Sequence, residues 1–234
     1  MTNTLHRYGS PESLRDDFIV FAIPSKSNRE GSGPKLRAFL EIAAKHGPIN
    51  MGGGGKGGFY RPSERVTPLV HWRARAAVPP SAVIEGCENP GTVAAVFDDV
   101  EKVKALLAEL RQRDLGMSIN VSALTEDARR AAEAAGLTRH SVEYSLGFAF
   151  GETDRMPDRL TLELATMCGH GMVAFGLVQK LCHLVKEGRR TPAEAARCLA
   201  RFCTCGVFNV TRAERLLVES LALTRGPRTT KEES

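Results

Sequence analysis

The chain has 234 residues, of which 42% are hydrophobic and 25% charged, and its formal net charge is +5 at pH 7. These values are typical of a water-soluble globular protein with one large or two small domains. The charge is lower than in dedicated nucleic-acid-binding proteins, and aromatic residues, at 6%, are too sparse for a base-stacking surface, so we expect no nucleic-acid partner. Neither a signal peptide nor a membrane-spanning apolar run is present, which predicts a cytoplasmic protein without a membrane partner.

Apolar periodicity and helix-start signals predict an α/β fold, with a βαβαβ-containing body and a helical C-terminal subdomain. From these patterns we expect four regions along the chain. They are a flexible N-terminal lead over residues 1–16, an α/β domain over 17–150, a helical cysteine-bearing subdomain over 151–224 and a disordered tail over 225–234.

Strands and helices alternate in the predicted body. The run Phe18–Ile23 is continuously apolar, which predicts a strand buried on both faces. We expect a helix over residues 34–46 and a short strand around residues 70–72. Further on, the pattern predicts strands joined by capped helices with right-handed crossovers: strands over 92–97, 117–121 and 141–150, and helices over 99–113 and 126–135.

A glycine-rich stretch follows the helix predicted over 34–46. Residues 52–58 read Gly-Gly-Gly-Gly-Lys-Gly-Gly, with Lys56 as the only charge. The stretch is not a phosphate-binding P-loop, because no Ser or Thr follows the lysine and no strand comes before it in the predicted order. We therefore expect a mobile surface loop, with a flexible substrate lid as the alternative.

From residue 157 to residue 223 the sequence pattern is helical. We expect helices over residues 158–167, 172–187, 192–202 and 211–223. Thr191 and Thr211 are predicted N-caps, each with a glutamate three residues later, at Glu194 and Glu214, to complete a capping box.

Two cysteine clusters stand out in this helical part. The first reads Cys168-Gly169-His170-Gly171 and the second Cys203-Thr204-Cys205-Gly206. The predicted helical hairpin between them has unequal arms, so their meeting in space stays open at this point. Three thiols and an imidazole on glycine-rich turns are the groups that soft metals, iron–sulfur clusters and thiol chemistry use.

The first interpretation of these clusters is a metal centre. Its predicted ligands are Cys168, Cys203, Cys205 and His170, and its cofactor is an iron–sulfur cluster or zinc. We favour the cluster, because a Cys-X-Cys pair strains a single zinc site, and Cys182 or Cys198 could supply a fourth thiolate. The predicted cofactor-contacting residues are Gly169, Gly171, Gly206, Asn209 and Arg212. Such a protein would serve redox or cofactor-related chemistry, and its arginines suggest a small anionic substrate.

The second interpretation is a metal-free thiol enzyme. Cys168 would be the nucleophile or acid/base and His170 its assistant, because a helix predicted to start at Met172 would lower the pKa of the thiol through its dipole. Residues 167–171, Met-Cys-Gly-His-Gly, locally resemble the segment that holds one catalytic cysteine in proline racemases. The second motif of that family, Cys-Gly-Thr-Gly, is absent, since Val207 follows Cys205-Gly206, and we do not infer the activity.

The third interpretation is a partner-binding module whose cysteines are incidental. For Cys87, Cys182 and Cys198 we expect packing roles, because buried cysteine behaves as a small hydrophobic residue. The sequence leaves open whether the protein is an enzyme. It also leaves the oligomeric state open, a homo-oligomer included.

Overall fold

The computed structural model of the chain describes residues 7–61, 76–87, 91–138 and 152–224. Within these ranges a five-stranded sheet forms the centre of the molecule, and every pair of neighbouring strands is antiparallel. The strand order across the sheet is β3-β2-β4-β1-β5. The strands are β1 (Phe18–Ile23), β2 (Asn50–Gly53), β3 (Gly57–Gly58), β4 (Val93–Phe97) and β5 (Ser118–Ser122).

Helices precede, connect and follow these strands. In chain order they are α1 (Pro11–Leu14), α2 (Gly33–Lys45), α3 (Pro80–Gly86), α4 (Val100–Arg113), α5 (Thr125–Ala134), α6 (Arg159–Ala165), α7 (Phe175–Lys186), α8 (Pro192–Ala200) and α9 (Val210–Thr224). Among the described helices, none combines the length and the apolarity that a membrane crossing requires.

The connection β4-α4-β5 is a split βαβ unit. Strand β1 lies between β4 and β5 and is antiparallel to both, so β4 and β5 run parallel to each other. Apart from α3 and the short β3, the order β1-α2-β2-β4-α4-β5 is the β-α-β-β-α-β arrangement of ferredoxin-like proteins. The predicted α/β class with a helical C-terminal region is confirmed. The strands predicted at 141–150 and around 70–72 lie outside the described residues.

Strand β1, an interior strand of the sheet, is buried on both faces as predicted from its apolar sequence. Ile19 and Phe21 face the C-terminal helices, and Phe18 and Val20 face the layer that contains α2 and α4. Complete burial of such side chains stabilises a fold by about 1.5–3 kcal/mol each. Helices therefore cover the sheet on both sides, and the C-terminal helices share one core with the sheet.

Local capping signals place several helix starts correctly. Ser10, Asp99 and Asp158 each accept a hydrogen bond from a backbone N–H in the first turn of their helix. Thr191 and Glu194 form the complete capping box at the start of α8. The predicted box at Thr211 is wrong. Helix α9 begins one residue earlier, at Val210, because Asn209 accepts a hydrogen bond from the backbone N–H of Arg212 at 2.9 Å.

Two other predictions need correction. Most of the glycine-rich stretch is not a surface loop, because Gly52 and Gly53 pair with Gly58 and Gly57 in the hairpin β2–β3 at the edge of the sheet, and all four glycines are buried. Only residues 54–56 form an exposed turn. Helix α7 begins at Phe175 and not at Met172. The three residues between Gly171 and Phe175 are therefore non-helical chain.

Candidate functional site

The two cysteine-bearing turns meet in space. The Sγ atom of Cys205 lies 3.6 Å from Nδ1 of His170. Side-chain hydrogen bonds also join Cys168 to Cys203, Cys203 to Cys205, and Cys168 to His170. The four side chains therefore form a closed ring of contacts, which we call the thiol ring. The unequal helical hairpin brings the two clusters together.

The first turn presents Cys168 and His170 after the end of α6. The N–H of Gly169 donates to the carbonyl of Thr166 at 2.7 Å, and Thr166 in turn accepts from the N–H of Tyr8 through its hydroxyl. Gly169 and Gly171 have φ values of +79° and +64°, which L side chains rarely adopt. The turn aims the backbone N–H of His170 at the sulfur of Cys168.

The second turn presents Cys203 and Cys205 after the end of α8. The N–H of Cys203 donates to the carbonyl of Ala200 at 3.2 Å, which continues the last helical turn. Gly206 then reverses the chain with a φ of +69°. Beyond it, the backbone N–H of Val207 points at the sulfur of Cys203. Each turn thus offers one buried sulfur a backbone N–H donor.

The glycine hairpin β2–β3 forms the wall behind the second turn. The N–H of Gly57 donates to the carbonyl of Thr204 at 3.1 Å. A Cβ atom at Gly58 would lie 2.6 Å from Cα of Gly206, and one at Gly206 would lie 2.8 Å from the carbonyl oxygen of Met51. The glycines are therefore required by close approach of two backbones and not by loop flexibility.

Asn50 fastens this wall to the C-terminal helices, and sequence reasoning missed it. Its side chain is buried, accepts from the N–H of Phe59 at 3.1 Å and donates to the carbonyl of Phe208 at 3.2 Å. The hydrogen bonds link the hairpin to the chain just beyond the second turn. An asparagine next to a glycine run inside a strand is the only signal that could have pointed to it.

The thiol ring is sealed on one side and open on the other. Cys168 and Cys203 have exposed fractions of 0% and 1%. Cys205 is half-buried and His170 is exposed. A bound group would therefore have two inner thiol contacts and two contacts at the protein surface.

The hydrogen bonds between the thiols shift the pKa values of the three cysteines in different directions. The bond to Cys203, followed by burial, raises the pKa of Cys168 far above its usual value. The bond from Cys168 lowers the pKa of Cys203, but the bond to Cys205 and burial outweigh it and raise this pKa to about 11. The bond from Cys203 lowers the pKa of Cys205. The negative charge of the metal-free ring is thus favoured at Cys205, its most accessible sulfur.

The pKa of His170 also depends on its contacts in the thiol ring. Its hydrogen bond with Cys168 raises its pKa, and burial opposes this effect. The predicted lowering of the pKa of Cys168 by a helix dipole is wrong. The helix does not begin at Met172 but at Phe175, and the hydrogen bond to Cys203 and burial raise the pKa of Cys168 instead.

Arg212 and Asn209 lie deeper in the molecule than a ligand contact requires. Arg212 is 2% exposed, and Nη1 lies 2.9 Å from the carboxylate of Asp17. Its other guanidinium nitrogens donate to the Ser13 hydroxyl and to the carbonyl of Tyr8. Because each of these nitrogens has an internal partner, we assign Arg212 a structural role and not the predicted anion contact.

A buried charge network surrounds this arginine. Arg7 reaches the Asp17 carboxylate at 2.7 Å, and Asn209 donates to it at 2.9 Å. Glu163, 1% exposed, accepts from the Ser13 hydroxyl at 2.9 Å. Sequence reasoning did not single out Asp17 or Glu163, since neither belongs to a spacing motif. The network holds residues 7–17 against α6 and α9, beside the turn that carries Cys168.

The remaining cysteines are buried and outside the ring, as predicted for packing residues. Cys87 belongs to the core on the α2 side of the sheet, and Cys182 and Cys198 belong to the core of the C-terminal helices. Burial raises the pKa of all three thiols. The thiol ring, as defined above, contains three sulfurs and one imidazole.

Within the described ranges, no group of three or more His, Cys, Asp or Glu side chains is already arranged to hold a metal ion. The ring is a set of pairwise contacts and not a shell around a common point.

Comparisons with known proteins add no assignment to this geometry. No model of a known protein family matches the chain, and neither the curated proteins nor the solved structures gave a significant match.

Proposed function

We propose that the thiol ring is the binding site of a soft transition-metal ion, ligated by Cys168, Cys203, Cys205 and His170. The observation that carries this proposal is the ring itself, in which side chains from two distant turns converge through sulfur and nitrogen atoms. Three thiolates and an imidazole are a common tetrahedral ligand set for zinc.

The separation between the Cys205 sulfur and the His170 nitrogen supports a single ion. In a zinc tetrahedron, bond lengths of about 2.3 Å to sulfur and 2.0–2.1 Å to nitrogen separate these two ligand atoms by about 3.6 Å. The Cys205 sulfur and Nδ1 of His170 are 3.6 Å apart. A cluster holds its ligands around a larger core, so we now favour one ion over the iron–sulfur cluster.

The backbone donors to sulfur also support a thiolate site. The N–H groups of His170 and Val207 point at the sulfurs of Cys168 and Cys203. Hydrogen bonds to thiolate ligands stabilise their negative charge and tune the metal.

The Cys203-Thr204-Cys205 turn can bind one ion through both of its thiols without the strain expected for a Cys-X-Cys pair. The thiols of Cys203 and Cys205 are already in hydrogen-bonding contact across Thr204. Gly206 and the hairpin wall hold the turn in this conformation. The fold thus already holds the two sulfurs close together, and an ion does not have to impose this turn conformation.

The open side of the ring favours a catalytic or metal-exchanging site over a purely structural metal site. His170 is exposed and Cys205 half-buried, so a substrate or an exchange partner could reach the ion from this side. Arg61 lies beside the second turn, where Nη1 donates to the carbonyl of Arg201 at 3.1 Å, and adds positive charge. We propose a small anionic molecule as the substrate class.

Metal analysis of protein purified without oxygen tests the proposal. We expect zinc or iron in stoichiometric amount in the wild-type chain and its loss in Cys168→Ser and Cys203→Ser. The matched control is Cys182→Ser, a buried cysteine outside the ring, which keeps its metal. Equal metal content in all four proteins would reject the proposal.

A second candidate function is thiol catalysis, and the contact between Cys205 and His170 favours it. Their 3.6 Å separation and the lowered pKa of Cys205 suit a nucleophile beside a base. Cys168, the nucleophile of the sequence interpretation, is fully buried with a raised pKa, so the role passes to Cys205. Activity of metal-free protein that is lost in Cys205→Ser but kept in Cys168→Ser would support this candidate over the metal centre.

A further inference from the structure

Cys205 is the accessible thiol among the six cysteines of the chain. Of the six cysteines, the other five are buried and Cys205 alone is partly exposed. It lies on the open side of the thiol ring, next to the exposed His170. A small oxidant in solution therefore reaches this thiol before any other thiol of the chain.

A resolving thiol is already in contact with it. The side chain of Cys203 is hydrogen-bonded to that of Cys205 and is shielded from solvent. Two residues that flank a single residue have Cα atoms at most about 7 Å apart in extended chain and closer in a turn. That separation falls in the range that a disulfide bridges.

We propose that Cys205 is an oxidation site at which a peroxide converts the Cys203–Cys205 pair into a disulfide and so dismantles the metal site. The Cys205 sulfur attacks the O–O bond of the peroxide and becomes a sulfenic acid, while the thiol proton joins the departing hydroxide as water. The Cys203 thiol then attacks the sulfenic sulfur, forms the S–S bond and releases a second water. Sulfur is oxidised by two electrons, and the peroxide is reduced by the same two.

The consequence for the metal rests on the proposed function, but the disulfide does not. Joining Cys203 to Cys205 removes two of the four proposed ligands at once, one from the sealed side and one from the open side. The remaining pair, Cys168 and His170, is too few for a stable soft-metal site. Reduction of the disulfide restores the ligand set.

The disulfide is tested on the metal-free full-length chain. Equimolar hydrogen peroxide is added, and the peptides are mapped by mass spectrometry with and without a reductant. We expect a reducible link between Cys203 and Cys205, with the loss of two hydrogens. In Cys203→Ser, dimedone should trap the sulfenic acid on Cys205. A link between other cysteines, or first trapping at another cysteine, would overturn the proposal.

Variants and a metal-loaded sample complete the test. Cys205→Ser should lose thiols to peroxide about tenfold more slowly than wild type, whereas Cys87→Ser, a buried control in the opposite core, should match wild type. Circular dichroism checks that each variant folds. In the zinc-loaded chain, disulfide formation should release the ion to a chromogenic chelator. Retention of zinc by the disulfide form would overturn the claim that oxidation dismantles the metal site. Failure of the chain to load any ion would overturn the proposed function, but disulfide formation would still be measured on the metal-free chain.

Discussion

Gly206 turns directly against the backbone of Met51, so that a Cβ atom at Gly206 would lie 2.8 Å from the Met51 carbonyl oxygen. The contact joins the second cysteine turn to strand β2 of the sheet. Gly206 also has a φ of +69°, a conformation that L side chains rarely adopt. Glycine is therefore required here both for its positive φ and for the close contact with Met51. The free-energy costs of losing each can be measured separately.

Gly206→Ala is expected to destabilise the fold and weaken the metal site together. Gly188→Ala is the matched control, because Gly188 has a nearly equal φ of +70° and no atom within 4 Å of its Cβ position. We expect the control to lose about 1 kcal/mol of unfolding free energy from backbone strain. Gly206→Ala should lose a further 1–3 kcal/mol, roughly, from the clash. Urea unfolding of both variants measures this, and equal losses would contradict the assigned contact.

Asp17→Asn is expected to be strongly destabilising. The Asp17 carboxylate is fully buried and is paired with Arg7 and Arg212, so its neutralisation leaves two buried guanidinium groups poorly compensated. Breaking such a buried pair costs about 3–5 kcal/mol. Thermal and urea unfolding give the value.

The adjacent carboxylate is the control for this change. Asp16 is 54% exposed on its side chain and lies 3.4 Å from Arg215. Exposed ion pairs contribute about 0–1 kcal/mol, so Asp16→Asn should be close to wild type. If the two variants were equally stable, the buried network would not have the role assigned to it.

The thiols of the metal-free protein should react in a fixed order. Because alkylation needs the thiolate, Cys205, with its lowered pKa and partial exposure, should be modified first at pH 7. Cys203 has a pKa of about 11, so its reaction should be slow at pH 7 and accelerate as the pH rises toward that value. Timed iodoacetamide labelling with peptide mapping follows both residues. Labelling of Cys203 as fast as Cys205 at pH 7 would show that the ring lacks this order.

His170→Ala should weaken metal binding by about tenfold or more, since it removes an entire ligand and even outer-shell changes cost 10–100-fold. The control is His183→Ala on α7, an exposed histidine paired with Glu187 at 3.0 Å. Competition with a chelator of known affinity compares the variants. An unchanged affinity in His170→Ala would remove this residue from the ligand set.

Signals within a few residues of one another were enough to predict much of the fold. The apolar run Phe18–Ile23 identifies a strand buried on both sides, and Thr191 with Glu194 identifies the start of α8. These features depend on local patterns that the chain carries wherever it folds. The same holds for the choice of Cys168, Cys203, Cys205 and His170 as candidates.

The relations between distant segments could not be predicted in this way. The glycine run predicts a loop when taken alone, because strand β4, with which it pairs, and Gly206, which packs against it, are distant in the sequence. Asp17 and Arg212 form their ion pair across 195 residues. The meeting of the two turns depends on helix lengths and packing angles that one-dimensional patterns do not contain.

Cobalt(II) titration of the metal-free chain tests the central claim most directly, because tetrahedral cobalt with thiolate ligands has intense visible and near-ultraviolet bands. The account predicts saturation at a single ion per chain, with thiolate charge-transfer bands that zinc displaces and that disappear in Cys203→Ser. No tetrahedral spectrum in the wild-type chain, or the same spectrum in Cys203→Ser, would contradict it.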